Sequence, residues 1–187
     1  MDYPAILLIP VLMLADYYLT LVGYVLYEKK YAEHFNIDHY ELNPVWQNVI
    51  TKKKWFSPRH LIGTILFTIL LVYALEFDDK PEILVEFLLG FFLVGSGILI
   101  GNHFNNILML WHVIRKPEVV SEQISLDHGY SLSRSMYKYV GVLVPLLIIS
   151  LFTPSYFVIG GTLSCALQMV VHLVWMLIYR LKQTRAV

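Results

Sequence analysis

Cysteine and charge are both scarce in this sequence. Of 187 residues, 15% are Asp, Glu, Lys or Arg, and the formal net charge is zero. No nucleic-acid partner is expected, because proteins that bind nucleic acids present a strongly basic surface. Cys165 is the single cysteine, which excludes an internal disulfide and any zinc site of the Cys-x-x-Cys kind. An H-E-x-x-H sequence is also missing, which disfavours a zincin-type intramembrane protease.

Hydrophobic residues are abundant instead. They make up 57% of the chain, and the mean hydropathy is +0.60. That composition exceeds the apolar share of a soluble domain. The N-terminus lacks the positive region and the small-residue cleavage site of a signal peptide, so its apolar run is interpreted as a mature span. The sequence therefore predicts an all-α, multi-pass protein of the cell membrane, with residues 1–187 forming a single transmembrane domain in contact with the lipid bilayer.

Five apolar stretches approach or exceed the roughly 20 residues that a helix needs to cross a bilayer. The predicted spans cover residues 4–27, 58–77, 81–114, 137–152 and 155–179. The fourth is the weakest, because it is short and contains Pro145, so a kinked or partly re-entrant segment is an alternative. A transmembrane helical bundle of five spans is the predicted architecture.

Lysine and arginine fix the predicted orientation. The connections 28–57 and 115–136 and the C-terminal tail carry nearly all of the basic residues, and in a five-span arrangement these three segments lie on one side. Cytoplasmic loops are enriched in lysine and arginine. The N-terminus is therefore predicted to lie outside the cell and the C-terminus in the cytoplasm.

Polar side chains interrupt three of the apolar helices at similar depths. A rise of about 1.5 Å per residue places them in the cytoplasmic half of the bilayer or at its boundary, and the angle of 100° per residue gathers them on one stripe of each helix. The first, third and fifth spans are thus predicted to surround a polar pocket that opens to the cytoplasm. Its predicted residues are Asp16, Thr20, Asn102, His103, Asn106, Gln168 and His172.

The connection after the first span has a pattern of its own. Asn43 and Pro44 are typical of a helix start, and the next residues place Trp46 and Ile50 on one side of a short helix that lysines follow. This profile predicts an interfacial helix with tryptophan at headgroup level, although a simple capped turn is an alternative. Glu41 and Asn43 are predicted to lie over the mouth of the pocket, as part of the ligand- or ion-binding site.

Two short motifs in this region carry a resemblance. The sequence D-Y-Y-L-T at 16–20, followed by E-L-N-P at 41–44, resembles a D-x-x-x-T … E-x-N-P arrangement in small prokaryotic polytopic membrane proteins of a domain-of-unknown-function class. The resemblance covers the first span and the following connection. It implies that Asp16, Thr20, Glu41 and Asn43 act together, and it implies no reaction or ligand.

Asp16 is the residue that points most directly to a function. An unpaired carboxylate near mid-bilayer costs at least about 3 kcal/mol, so such residues are candidates for functional sites, and His103 or His172 is its expected partner. Two imidazoles and a carboxylate would serve a proton relay, or would bind a divalent metal such as zinc.

Three functions stay open at this stage. The first is binding and movement of a small ion or polar solute, coupled to protons through Asp16. The second is a metal-dependent membrane enzyme acting on a lipid or lipid-linked substrate, and the third is a non-catalytic membrane scaffold. Five spans are few for an alternating-access transporter, so a homo-oligomer is expected, with Gly97 and Gly101 either at its interface or in contact with another helix of the same chain.

Overall fold

Helices form almost all of the ordered structure. The computed structural model describes residues 7–33, 35–37, 40–76, 81–119 and 122–184. The all-α prediction is confirmed, apart from two strands of three residues each that the sequence reading missed. In chain order the elements are α1 (Leu8–Lys30), β1 (Phe35–Ile37), α2 (Gln47–Thr51), α3 (Pro58–Glu76), α4 (Pro81–Arg115), β2 (Ile124–Leu126), α5 (His128–Phe152) and α6 (Tyr156–Thr184).

Four helices are long and apolar enough to cross a membrane. These stretches are Leu8–Lys29, Glu82–Arg115, His128–Phe152 and Tyr156–Lys182. The remaining predicted span corresponds to α3, whose apolar stretch Pro58–Tyr73 is shorter than the other four. The predicted boundaries at Pro4 and Phe77 lie outside the described residues.

The fourth predicted span needs a correction. The sequence predicts it at residues 137–152, with a kinked or partly re-entrant segment as an alternative, whereas α5 is one helix of 25 residues that begins at His128 and runs past Pro145. Its early start has a local cause: the Asp127 side chain caps the helix by accepting a hydrogen bond of 2.8 Å from the backbone N–H of Tyr130. The nine additional residues bring polar side chains into the helix.

The helices alternate in direction. Contacts of α1 with α4 join Thr20 to His103 and Leu26 to Leu110, so these two helices are parallel. Tyr17 stacks on His60 near the start of α3, and Ile9, earlier in α1, clusters with Leu71 later in α3, so α3 runs the opposite way. By the same reasoning α6 is parallel to α4, and α5 is antiparallel to α6.

Glycine allows α4 and α6 to approach closely. A Cβ atom at Gly90 would fall against the carbonyl oxygen of Phe157, and one at Gly160 would fall against the carbonyl oxygen of Phe87. Side chains at these two positions are therefore excluded by the neighbouring backbone. Gly97 and Gly101, which the sequence suggested for close packing, are exposed, and a Cβ there would meet nothing within 4 Å. As a helix contact within the chain that prediction is wrong, while the homo-oligomer stays a prediction.

The two connections on the basic side meet each other. Strands β1 and β2 pair in parallel, with Phe35 opposite Ile124 and Ile37 opposite Leu126. The hydroxyl group of Tyr27, near the end of α1, donates a hydrogen bond of 3.1 Å to the carbonyl oxygen of Phe35. This pairing holds the residues after α1 next to those before α5, and both lie at the same end of the bundle.

A short helix is present in the connection after α1, as the sequence predicts. It is α2, which begins at Gln47 rather than Pro44. Ile50 is buried against Tyr17 and Leu21 of α1, whereas Val45 is exposed. The connection is thus held against the first helix by apolar contacts.

Candidate functional site

A cavity of about 420 Å³ lies at the basic end of the bundle. Its wall is formed by α1, α4, α5 and α6 together with the connection that follows α1. The structure brings all of the sequence-predicted site residues to this wall: Asp16, Thr20, Glu41, Asn43, Asn102, His103, Asn106, Gln168 and His172. Asn105 points outward from the same helix and is exposed. Residues of the first, third and fifth predicted spans therefore line a common cavity, whose wall also carries apolar side chains such as Leu99 and Trp175.

Asp16, Thr20 and His103 form one hydrogen-bonded group. The Nε2 atom of His103 lies 3.0 Å from Oδ1 of Asp16 and 3.2 Å from Oγ1 of Thr20. The Thr20 hydroxyl donates its own hydrogen to the carbonyl oxygen of Asp16, at 2.9 Å, so toward the ring it can only accept. The network therefore assigns a proton to Nε2 of His103. Asp16 turns toward the cavity and has one of its two expected histidine partners.

Glu41 belongs to the same electrostatic environment. Its Oε1 accepts a hydrogen bond of 2.7 Å from the backbone N–H of Asn43. Burial raises the pKa of the Glu41 carboxyl from 4.5 to about 7, against the opposing effect of that hydrogen bond. The negative charge of Asp16 raises the pKa further, and His103 lowers it. Glu41 is thus a carboxyl group whose charge changes near neutral pH beside the Asp16–His103 pair.

The E-x-N-P motif is also a local turn. Besides donating to Glu41, Asn43 accepts a hydrogen bond of 3.0 Å at Oδ1 from the backbone N–H of Val45. The side chain of Gln47 donates to the carbonyl oxygen of Glu41 at 3.1 Å. Pro44 fits the turn because it supplies a fixed φ angle and needs no backbone donor. These bonds hold the Glu41 carboxyl over the cavity.

His172 has different neighbours. Its Nδ1 lies 2.8 Å from the carbonyl oxygen of Gln168, which can only accept, so Nδ1 carries the proton. Nε2 lies 3.0 Å from the hydroxyl oxygen of Ser135. The imidazole of His172 is buried, and both of its ring nitrogens lie at hydrogen-bond distance from a partner.

The predicted metal set is not assembled. Asp16 and His103 meet each other, but His172 bonds to Ser135 and to its own helix. Within the described ranges, no three His, Cys, Asp or Glu side chains come together as a metal site would require. The expected triad of two imidazoles and one carboxylate is therefore corrected to one carboxylate–imidazole pair and one separate histidine.

Basic residues of α5 are the part of the site that sequence reasoning missed. Arg134 and Lys138 both line the cavity, and Nζ of Lys138 donates a hydrogen bond of 2.9 Å to Oδ1 of Asn102. The two are four residues apart and lie on one face of the helix. The sequence signal for Arg134 is Asp127, a helix-capping residue that places the start of α5 before it, whereas Lys138 already lies in the predicted span.

Comparison with protein-family models, with curated proteins and with solved structures finds no match to this chain. Functional argument therefore depends on the cavity itself.

Proposed function

We propose that this chain is an integral protein of the cell membrane that binds a small ion or polar solute in the cavity and moves it across the bilayer, with proton exchange at the Asp16–His103 pair. The observation that carries the proposal is the group formed by Asp16, Thr20 and His103 on the wall of a 420 Å³ cavity. Ionisable groups within apolar helices are costly and commonly mark pathways for ions, protons or substrates.

The membrane arrangement we propose has five spans, including α3, with the N-terminus outside and the C-terminus in the cytoplasm. The alternating helix directions support it, as does the pairing of β1 with β2, which joins two connections that carry basic residues. In this orientation the cavity opens in the cytoplasmic leaflet. The exposed apolar side chains of α3, such as Leu66 and Leu70, would then face lipid rather than water.

The proposed proton exchange follows from the hydrogen-bond network. His103 already carries a proton on Nε2, which is shared between Asp16 and Thr20. A second proton would therefore enter at Nδ1 and convert the ring to an imidazolium beside the Asp16 carboxylate. Because the charge of Glu41 changes near neutral pH, uptake of a cation or release of a proton would alter the combined charge of Glu41, Asp16 and His103. Proton-coupled binding requires such a link between cation uptake and proton release.

Currents from proteoliposomes on a solid-supported membrane test this function. Sudden exposure to sodium chloride, potassium chloride or a mixture of the twenty amino acids should give a transient current above that of empty liposomes for at least one probe. The Asp16→Asn variant should lose at least nine tenths of that current, because it removes the charge that faces His103. Absence of current for every probe, or full current in Asp16→Asn, would contradict the proposed function.

A further inference from the structure

Two consecutive residues of α4 bond to opposite charges. Asn102 accepts a hydrogen bond from the ammonium group of Lys138, and His103 donates one to the carboxylate of Asp16. Neighbouring side chains leave a helix about 100° apart, so Lys138 and Asp16 lie on either side of α4 at nearly the same depth. The cavity between them has one cationic and one anionic wall.

Neither cation of α5 is neutralised by a carboxylate. Among the residues that the structure describes, no Asp or Glu oxygen lies within ion-pair distance of Lys138 or Arg134. Lys138 retains N–H donors beyond the one that Asn102 accepts, and the guanidinium of Arg134 has five. The Asn102 amide group is a further donor, because its bond to Lys138 uses only the oxygen. This wall is therefore suited to an anion with several acceptor oxygens.

The anionic wall is also incompletely paired. Asp16 uses Oδ1 toward His103, and Glu41 uses Oε1 toward the backbone of Asn43. In the described part of the chain, the second oxygen of each carboxyl has no hydrogen-bond partner. These two oxygens are available to a cation that carries N–H donors.

We propose that the ligand of this cavity is a zwitterion with a primary ammonium group and a phosphate, and that the ammonium contacts Asp16 and Glu41 while the phosphate contacts Lys138, Arg134 and Asn102. This inference rests on the proposed function for its assumption that the cavity is a binding site. It adds the chemical class of the ligand and the orientation in which it binds.

The spacing of the walls fits such a molecule. Asn102 and His103 are consecutive residues of α4, and their side chains point about 100° apart. Their partners, Lys138 Nζ and the Asp16 carboxylate, should therefore lie on the order of 10 Å apart. Two hydrogen bonds of about 3 Å leave roughly 4 Å between the charged groups of the ligand. An ammonium and a phosphate joined by two carbon atoms cover that distance. Phosphate matches the cationic wall better than a carboxylate does, because it offers more oxygens and more charge to two basic side chains.

Binding to purified protein in dodecyl maltoside tests the proposal. The probes are O-phosphoethanolamine as a free zwitterion, lysophosphatidylethanolamine as the same headgroup on a lipid, and ethanolamine and inorganic phosphate as the separate halves. We expect the Kd of at least one zwitterion to be tenfold or more below the Kd of either half. Binding of only the free probe identifies a soluble ligand, and binding of only the lysolipid identifies a lipid headgroup.

Variants assign the orientation. Lys138→Gln should weaken zwitterion binding at least tenfold, and Lys138→Arg should restore most of it, because the charge is kept. Lys116→Gln is the matched control, since Lys116 is exposed at the end of α4 and does not line the cavity. If Lys138→Gln does not fold, Arg134→Gln takes its place. Asp16→Asn should weaken zwitterion binding but leave the affinity for inorganic phosphate within twofold.

Failure of this inference differs from failure of the proposed function. Equal affinity for the zwitterions and their halves overturns the inference, as does unchanged zwitterion binding in the cationic-wall variants. Either result, together with a current for one of the salt or amino-acid probes, leaves the proposed function standing. Zwitterion binding without any current in the proteoliposome assay, with phosphoethanolamine added to the probes, supports the ligand class and rejects movement of the ligand.

Discussion

Replacement of Glu41 by glutamine tests the electrostatic description of the site. Burial raises the pKa of this carboxyl from 4.5 to about 7 in the folded protein. A carboxyl group with a raised pKa favours the folded state fully only below its unfolded pKa, and that contribution is lost as the pH rises from 4.5 to about 7. Wild-type protein should therefore lose stability between pH 5 and pH 8 through this residue, whereas Glu41→Gln, which is neutral throughout, should not.

The magnitude follows from the two pKa values. Integration between pH 5 and pH 8 for pKa values of 4.5 and about 7 gives an upper limit of about 2.5 kcal/mol. Glu41 is half-buried, and its contact with water lowers the expected value to about 2 kcal/mol. For a chain of this size that difference corresponds to a change in Tm of about 4 to 8 °C.

Thermal unfolding in maltoside micelles, followed by tryptophan fluorescence, measures the effect. The Tm of Glu41→Gln should exceed that of wild type at pH 8, and the difference should be smaller at pH 5 by about 4 to 8 °C. Glu118→Gln, at an exposed position, is the control and should follow wild type at both pH values. A Tm difference for Glu41→Gln that is the same at pH 5 and pH 8 would refute the reasoning.

Three further substitutions probe the packing and the hydrogen bonds. Gly90→Ala should lower the free energy of unfolding in dodecyl sulfate titrations by about 2 kcal/mol or more, because the added methyl group meets the backbone of α6, while Gly97→Ala should be neutral or stabilising. Tyr139→Phe should leave stability unchanged or raise it by up to about 1 kcal/mol, since its buried hydroxyl has no hydrogen-bond partner among the described residues. Thr20→Val should cost about 1 kcal/mol, because it removes an acceptor from His103.

Each of these has an outcome that contradicts it. Equal stability of the two alanine variants would mean that the close approach of α4 and α6 is not as described. A marked loss of stability in Tyr139→Phe would indicate that the hydroxyl does make a hydrogen bond. An unchanged unfolding curve for Thr20→Val would show that the hydroxyl does not support the imidazole.

The sequence was sufficient to locate one half of the site. Asp16, His103 and His172 lie in long apolar helices, where the regular rise and rotation fix the depth and direction of every side chain once the span is located. Their presence on a common cavity wall follows from that regularity. Which histidine meets Asp16 does not, because it depends on how far neighbouring helices slide along each other.

The cationic wall was missed for a related reason. Hydropathy placed the start of the fourth span at residue 137, so the preceding turns of the helix were assigned to a connection. A capping residue such as Asp127 marks a helix start through one hydrogen bond, whatever the polarity of the residues that follow. Arg134 therefore belongs to a part of the helix that hydropathy alone leaves out, whereas Lys138 lies within the predicted span and shows its role only through its contact with Asn102.

The packing glycines illustrate a third limit. Gly97 and Gly101 have the small-xxx-small spacing, yet the close contacts of α4 are at Gly90 and Gly95. The spacing of small residues shows that one face of a helix permits close approach. Which face is actually in contact depends on the position of the neighbouring helix. The pairing of β1 with β2 could not be predicted from the sequence either, because strands of three residues carry too few side chains for a periodic pattern.

The crossing angle of α4 and α6 near Gly90 affects the positions of side chains at the other end of α4. From Gly90 to Asn106 the axis of α4 extends roughly 24 Å, so a change of about 5° in the crossing angle would displace the far end by about 2 Å. An increase of about 2 Å in a donor–acceptor distance of about 3 Å breaks a hydrogen bond. Any substitution or lipid that tilts these helices at their crossing near Gly90 would therefore change the spacing of Asn102, His103 and their partners.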